Sequence, residues 1–296
     1  MKKITALTIH ILLFASFASA ESVDETENDT ITSDWEQGAE MNFDLSQISL
    51  SNWASGGENS IALNSHFTSF MNYSGETLGW ENSLEVAYGL INREHEDTRK
   101  SNDRVEFSSK INRKASERWD YSSLLSFRTQ MAQGFDYPND SIPISDFLSP
   151  GYIGLSVGMN YRPYDDYSIY FSPIAGRTTI VRDEELSEKG AFGVTPGKNA
   201  KHDFGGLIRV NYKTELMENV SAVSRLELFS DYSRPTQVNM DLTGRLRLDI
   251  NDYVKANLFI HMIYDHDTMI EIEGEEVGPR LQLKQTFGLG FSFNLL

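Results

Sequence analysis

Charged side chains recur two residues apart, between apolar ones, through much of this 296-residue chain. Arg104, Glu106 and Lys110 share one face of a segment. Arg128, Arg162 and Arg209 each sit on such a face, as do Arg225 with Glu227, Asp241 with Arg245 and Arg247, and Lys255 with His261 and Asp265. On a strand, residues two apart point to the same side, so each segment carries a polar, charged face backed by an apolar one. Two kinds of chemistry suit such faces when they line a lumen. An arginine column opposite carboxylates selects small polar or anionic solutes by charge and pore size, and this narrow channel is the first expectation. The same groups paired across a narrow lumen instead close it, leaving a structural or binding barrel that acts through its external loops.

Catalysis is a remote alternative. A hydrolase needs Ser, His and an orienting Asp or Asn within mutual reach. His261 and Asp265 share a face, yet four residues along a strand set them roughly 13 Å apart. His66, beside Thr68, reads as a hydrogen-bonding lumen residue. No catalytic residues are therefore expected. Asp265, His266 and Asp267 with Glu271, Glu273, Glu275 and Glu276 could offer oxygen ligands to Ca²⁺, but a solvated acidic loop accounts for them more simply. Neither a metal nor a cofactor is expected.

The elements that must position these faces are short alternating segments. They run over Met41–Asn52, Ser60–Tyr73, Leu78–Asn92, Asp103–Lys114, Trp119–Phe135, Gly151–Arg162, Tyr167–Val181, Phe204–Leu216, Val220–Tyr232, Val238–Ile250, Tyr253–His266 and Arg280–Leu296. The first slips in register near Gln47, which suggests a β-bulge. The seventh is interrupted by Pro173, which implies a bulge or a break. Connections alternate between short ones, such as Ser74 to Thr77 or Asn251-Asp252, and longer ones, such as Asp136 to Pro150 or Arg182 to Asp203. Short turns on one side and long loops on the other are the habit of a transmembrane barrel. A soluble sandwich has no reason to follow it. The expectation is an all-β fold, a transmembrane antiparallel up-and-down barrel of about twelve strands, with both termini periplasmic. Trp80, Trp119, Tyr121, Tyr161, Tyr167, Tyr212, Tyr253 and Phe293 fall on outward faces or beside the short turns, where interfacial girdles belong.

The ends of the chain fit that location. Lys2 and Lys3 precede an apolar run from Ile4 to Phe17, and Ala18-Ser19-Ala20 offers a cleavage site. Residues 1–20 therefore read as a secretory signal peptide. Residues 21–40 hold eight acidic residues and no Lys or Arg, which reads as a disordered periplasmic tail. The barrel would then occupy residues 41–296. No cysteine is present, so disulfides and thiolate metal sites are excluded. The formal net charge of −17 argues against nucleic acid as a partner. The expected partners are outer-membrane lipid, the barrel assembly machinery and small polar solutes, in the outer membrane of a Gram-negative cell.

The most distinctive loop string contains Trp53, Gly56, Gly57, Asn59 and Ser60. Paired glycines permit backbone shapes closed to other residues, and Asn59 suits a turn. The string reads as a tight hairpin, with a gating or binding loop as the functional alternative. Together with Phe127-Arg128-Thr129-Gln130, the run Ile144 to Pro150, Ser172-Pro173, Leu228-Phe229-Ser230 and Ile263-Tyr264-Asp265, it resembles a family of Bacteroidota outer-membrane barrels catalogued only as a domain of unknown function. The resemblance implies a location and a barrel fold, and no activity. The closing residues Thr286, Gly288, Phe291 and Phe293 resemble the recognition signal by which bacterial outer-membrane barrels are assembled.

Overall fold

A computed structural model describes residues 34–49, 59–94, 96–272 and 275–295. The proposed leader and the Trp53, Gly56 and Gly57 positions lie outside them. Twelve antiparallel strands close into one barrel: β1 Trp35–Ile48, β2 Ser60–Ser74, β3 Leu78–Arg93, β4 Arg99–Lys114, β5 Trp119–Thr129, β6 Gly151–Tyr164, β7 Tyr167–Ile180, β8 Ala200–Met217, β9 Val220–Asp231, β10 Val238–Asp249, β11 Val254–Tyr264 and β12 Gln282–Asn294. Each strand pairs with the next. β12 closes on β1 through a register that sets Met41 against Phe293 and Phe43 against Phe291. Closure removes the unpaired edges that an open sheet of this size would expose.

Alternation fixes which face is which. Leu63 on β2, Leu155 and Val157 on β6, Phe171 on β7, Ile208 on β8, and Leu283, Phe287 and Leu289 on β12 all point outward and are exposed. Phe287 keeps 69% of its surface. Each such side chain gains about 1.5–3 kcal/mol on leaving water. A belt of them around the barrel, with the mid-strand charges turned to the interior, is stable only in lipid. The barrel is transmembrane. Trp35, Tyr73 and Trp80 cluster beside one short turn, with Trp35 lying 5.2 Å from Tyr73 and 6.0 Å from Trp80. Trp119 packs against Tyr161, and Tyr167 meets Tyr212 edge-on, beside two others. This forms the girdle expected on the short-turn side.

Connections 75–77, 115–118, 165–166, 218–219 and 250–253 lie at one end, with the longer 130–150, 181–199 and 265–281 at the other. Two of the long ones carry small hairpins, Gly134–Phe135 with Pro143–Ser145 and Ile270–Ile272 with Glu275–Gly278. The loop 181–199 carries a one-turn helix α1, Glu184–Glu188, capped by the Asp183 carboxyl on the Leu186 amide.

Two expectations need correction. β1 begins at Trp35, so the end of the expected acidic tail is strand, while its residues 21–33 lie outside the described ones. Glu36 and Glu40 are lumen-facing positions of a strand whose outward Trp35 is anchored by Tyr73, so acidity there reflects an interior wall. The slip near Gln47 makes no bulge, and β1 pairs β2 without a shift from Trp35 to Ile48; Gln47 is simply a polar residue on the outer face. Of the bulge or break expected at Pro173, the structure has the bulge. The register shifts between Val157 and Met159 on one side and between Gly205 and Leu207 on the other, and the strand runs on to Ile180.

Candidate functional site

The lumen is asymmetric. On the side walled by β4 to β9 it is largely filled, apart from a cavity of about 110 Å³ beside Ser156, Leu207, Arg209 and Phe229. Leu124, Tyr170, Ala175, Leu207 and Phe229 point inward and form a buried apolar cluster. The Tyr170 hydroxyl donates to Ser156 Oγ at 3.0 Å. Nearby, Lys110 Nζ donates to Asn160 Oδ1 at 3.0 Å, and Ser122 Oγ to Asn112 Oδ1 at 2.7 Å. A buried polar group must find such partners or lose the hydrogen bonds it made to water.

Charged groups cross the middle. β4 and β9 stand nearly opposite around the barrel, as do β5 and β10. Arg225 of β9 donates to Glu106 of β4 at 2.7 Å, and Arg128 of β5 to Asp241 of β10. Arg104 Nη2 lies 2.8 Å from Glu85 Oε2, and Arg245 Nη2 lies 3.5 Å from the same oxygen. His261 Nε2 is 3.1 Å from Asp241 Oδ1, so its carboxylate partner is Asp241 and not Asp265. The Arg104 guanidinium also stacks over the ring of Phe259 at 5.1 Å. These charges are held inside a wall of low polarity, where each depends on its opposite.

Mainly along β1, β2, β10, β11 and β12, and reaching Arg104 of β4, Arg128 of β5 and Tyr152 of β6, lies a cavity of about 710 Å³. Asp44, His66, Arg245, Phe259 and Lys284 line it at mid-height, and Ile144, Phe192 and Met269 of the long connections line its outer part. Its base is Glu40, whose carboxylate accepts from Arg247 Nη1 at 2.6 Å, Lys255 Nζ at 3.4 Å and Ser292 Oγ at 2.6 Å. Arg247 Nε in turn donates to Asp249 Oδ1 at 2.8 Å.

A second cluster ties the long connections together. Arg234 Nη1 donates to Asp267 Oδ1 at 2.9 Å, Lys201 donates to the same carboxylate, and Arg177 approaches it at 3.6 Å. Burial pushes the Asp267 carboxyl up. The hydrogen bonds from Arg234 and Lys201 and the charges of both outweigh that, holding it below the usual carboxylate range. Gly193 of loop 181–199 packs so closely that a Cβ there would lie 2.7 Å from Asp267 Cβ. Asp267 is thus committed to cations. Among the described residues no group of three or more His, Asp or Glu could hold a metal ion, and Glu273 of the Ca²⁺ alternative lies outside them.

The other singled-out residues are placed as follows. Arg162 bonds Asp120 at 2.7 Å near the short-turn end, and Arg209 bonds Glu227 at 2.8 Å. Asp265 Oδ1 accepts from the Asp267 amide. Asn59 donates to Glu94 at 2.7 Å across the β2–β3 hairpin mouth, and Ser60 starts β2. Thr286 and Gly288 face the lumen, whereas Phe291 and Phe293 face outward and are exposed. Sequence reasoning missed Glu40, assigned to the tail, and the inward apolar groups Leu124, Leu207, Phe229 and Phe259, which break the polar-inside rule. Small inward neighbours such as Gly205 are the signal that could have found the packed side.

The fold and this interior define a transmembrane barrel with a charged, partly filled lumen. Residues 45–135 match a family described as a protein of unknown function (DUF3078). The match takes in the Trp53 loop and the Phe127–Gln130 strand, while the later strings of the resemblance lie beyond it. Among curated proteins, 103 residues are 28% identical to an iron–sulfur cluster assembly factor IBA57 homolog, mitochondrial, from Pyricularia oryzae. That stretch is 34% of this chain and 26% of the relative, so the chain spans about a quarter of that protein's length. Solved structures with a similar course include an outer membrane channel from Pseudomonas putida F1 (TM-score 0.41, 8% identity, 93% of this chain and 100% of that one). Others are the NanC porin (0.39, 10%, 86% and 98%) and the translocator domain of the autotransporter NalP from Neisseria meningitidis (0.32, 9%, 87% and 86%).

Proposed function

We propose that this protein is a narrow outer-membrane channel for small polar or anionic solutes, conducting along the open side of its lumen. The observation that carries this reading is the 710 Å³ cavity running from the long connections down to Glu40. A barrel serving only as a scaffold would have no need of a tall cavity on one side while packing the other. The Glu40 contacts to Arg247 and Lys255 form the floor, so passage requires them to part. The packed side and the mid-lumen ion pairs keep the route narrow and its walls fixed. Lipid outside and the assembly machinery at the β12 signal are the partners this reading entails.

The test is planar-bilayer conductance of the purified barrel. Small discrete steps in wild type, with larger or more frequent steps in Arg247→Ala, support the channel. The mid-lumen pairs between opposite strands favour a second reading, a closed barrel acting through its loops. That reading predicts no steps in either protein.

A further inference from the structure

Several carboxylates of the interior network are shared among cations. Glu85 serves Arg104 at 2.8 Å and Arg245 at 3.5 Å. Glu106 serves Arg225 at 2.7 Å, Arg104 at 3.6 Å and Arg128 at 4.0 Å. Asp241 serves Arg128 and His261. Arg104, only 9% exposed, has a buried Nη1 without a hydrogen-bond partner among the described residues. Lys284 donates to the neutral Asn102 Oδ1, and no described carboxylate lies within ion-pair distance of it. Asp44 faces the same cavity and offsets one charge. Its carboxyl is tucked against the β12 backbone, where a Cβ at Gly288 would lie 2.6 Å from its Cγ. Asp103, Asp265 and Glu40 also line the cavity, Asp103 paired with Lys100 and Glu40 with Arg247 and Lys255, so among the lining lysines and arginines Lys284 is the one that no described carboxylate reaches within ion-pair distance.

The strand register sets these groups on one wall. Arg245, Phe259 and Thr286 are successive neighbours on β10, β11 and β12, and Thr243, His261 and Lys284 form the next row outward. Arg104 covers Phe259 from across the lumen, and Ile263 continues the apolar strip on β11. A cation of low pairing beside an aromatic shelf, in a cavity of ligand-holding size, suits an anion with an apolar body.

We propose that the open side of the lumen is a binding site for an organic carboxylate. Its carboxylate lies between Lys284 and Arg104, and its apolar body lies against Phe259 and Ile263. The proposal rests on the channel reading to the extent that the cavity must be reached from outside, and it names the solute class.

The test is calorimetric titration of the detergent-purified barrel with benzoate, with acetate and benzyl alcohol as the charge-only and ring-only probes. Benzoate is expected to bind most tightly. Lys284→Gln should weaken it about tenfold, while Lys284→Arg and the exposed-helix variant Lys189→Gln retain it. Heat-modifiable migration on gels verifies that each variant is folded. Absent benzoate binding, equal affinity in folded Lys284→Gln, or benzyl alcohol binding as well as benzoate would overturn the site. Binding without conductance supports the site and refutes the channel. Conductance without binding refutes the site and keeps the channel.

Discussion

Glu106→Gln tests the interior network at its most connected carboxylate. The Glu106 side chain is 11% exposed and lies within 4.0 Å of Arg104, Arg128 and Arg225. Glutamine preserves its shape and can still accept one hydrogen bond from Arg225, but the charge that balances three guanidinium groups is gone. Removing one member of a buried pair costs about 3–5 kcal/mol, chiefly because the surviving charge is left uncompensated. The retained neutral hydrogen bond places this variant near the lower end, about 3 kcal/mol, a shift of roughly a hundredfold in the folding equilibrium. Urea titrations in lipid vesicles, followed by tryptophan fluorescence, measure the difference without the screening that a salt denaturant would add. Glu185→Gln is the control. It breaks the exposed pair with Lys189 on α1, and pairs of that kind contribute about 0.5 kcal/mol or less. A Glu106→Gln barrel as stable as the Glu185→Gln barrel would refute the reasoning that the lumen charges hold the walls.

Other outcomes follow from the same geometry. Asp267 is held below its ordinary carboxylate value of 3.8 by Arg234 and Lys201, so its contribution is complete at neutral pH and is lost as pH falls below that value. Proteolysis of loop 181–199 should accelerate under acid conditions, and Asp267→Asn should reproduce the effect at pH 7. On the lipid face, Phe287→Arg should destabilise the barrel by about 2–4 kcal/mol, while Leu295→Arg, beyond the end of β12, should cost about 0–1 kcal/mol. The pair Phe291→Ala and Phe293→Ala should reduce the amount of heat-modifiable barrel recovered from outer membranes while leaving the conductance of the assembled fraction unchanged.

Strand order and facing were legible because a transmembrane barrel strand must alternate, with lipid on one side and polar groups on the other. β10 shows this without interruption, and β12 with Gln285 as the one polar residue in its outward series. The strand with Pro173 was harder to read because a bulge moves the pattern by one residue, so Ala175 rather than Ile174 faces inward after it. Glu40 was hidden by its neighbours. Acidic composition reads the same whether carboxylates stand in water or along an interior wall, and only Trp35 marked the difference. Leu125 belongs to the outward series of Trp119, Tyr121 and Phe127, but nothing in its neighbour Leu124 signals an apolar group on the lumen face. Pairing was illegible altogether: nothing along the chain says that Arg225 meets Glu106, 119 positions away, because that contact is set by the curvature of the closed sheet.

The route itself can be marked chemically, because the chain contains no cysteine and any introduced thiol is unique. Thr286→Cys would place a thiol on the open side of the lumen, and Ser122→Cys would place one on the packed side. Conductance recorded before and after addition of a charged, membrane-impermeant thiosulfonate compares them directly. Current through Thr286→Cys is expected to fall while current through Ser122→Cys is unchanged. Equal loss in both, or no effect of the reagent on a conducting Thr286→Cys barrel, would contradict a route along β1, β2, β10, β11 and β12.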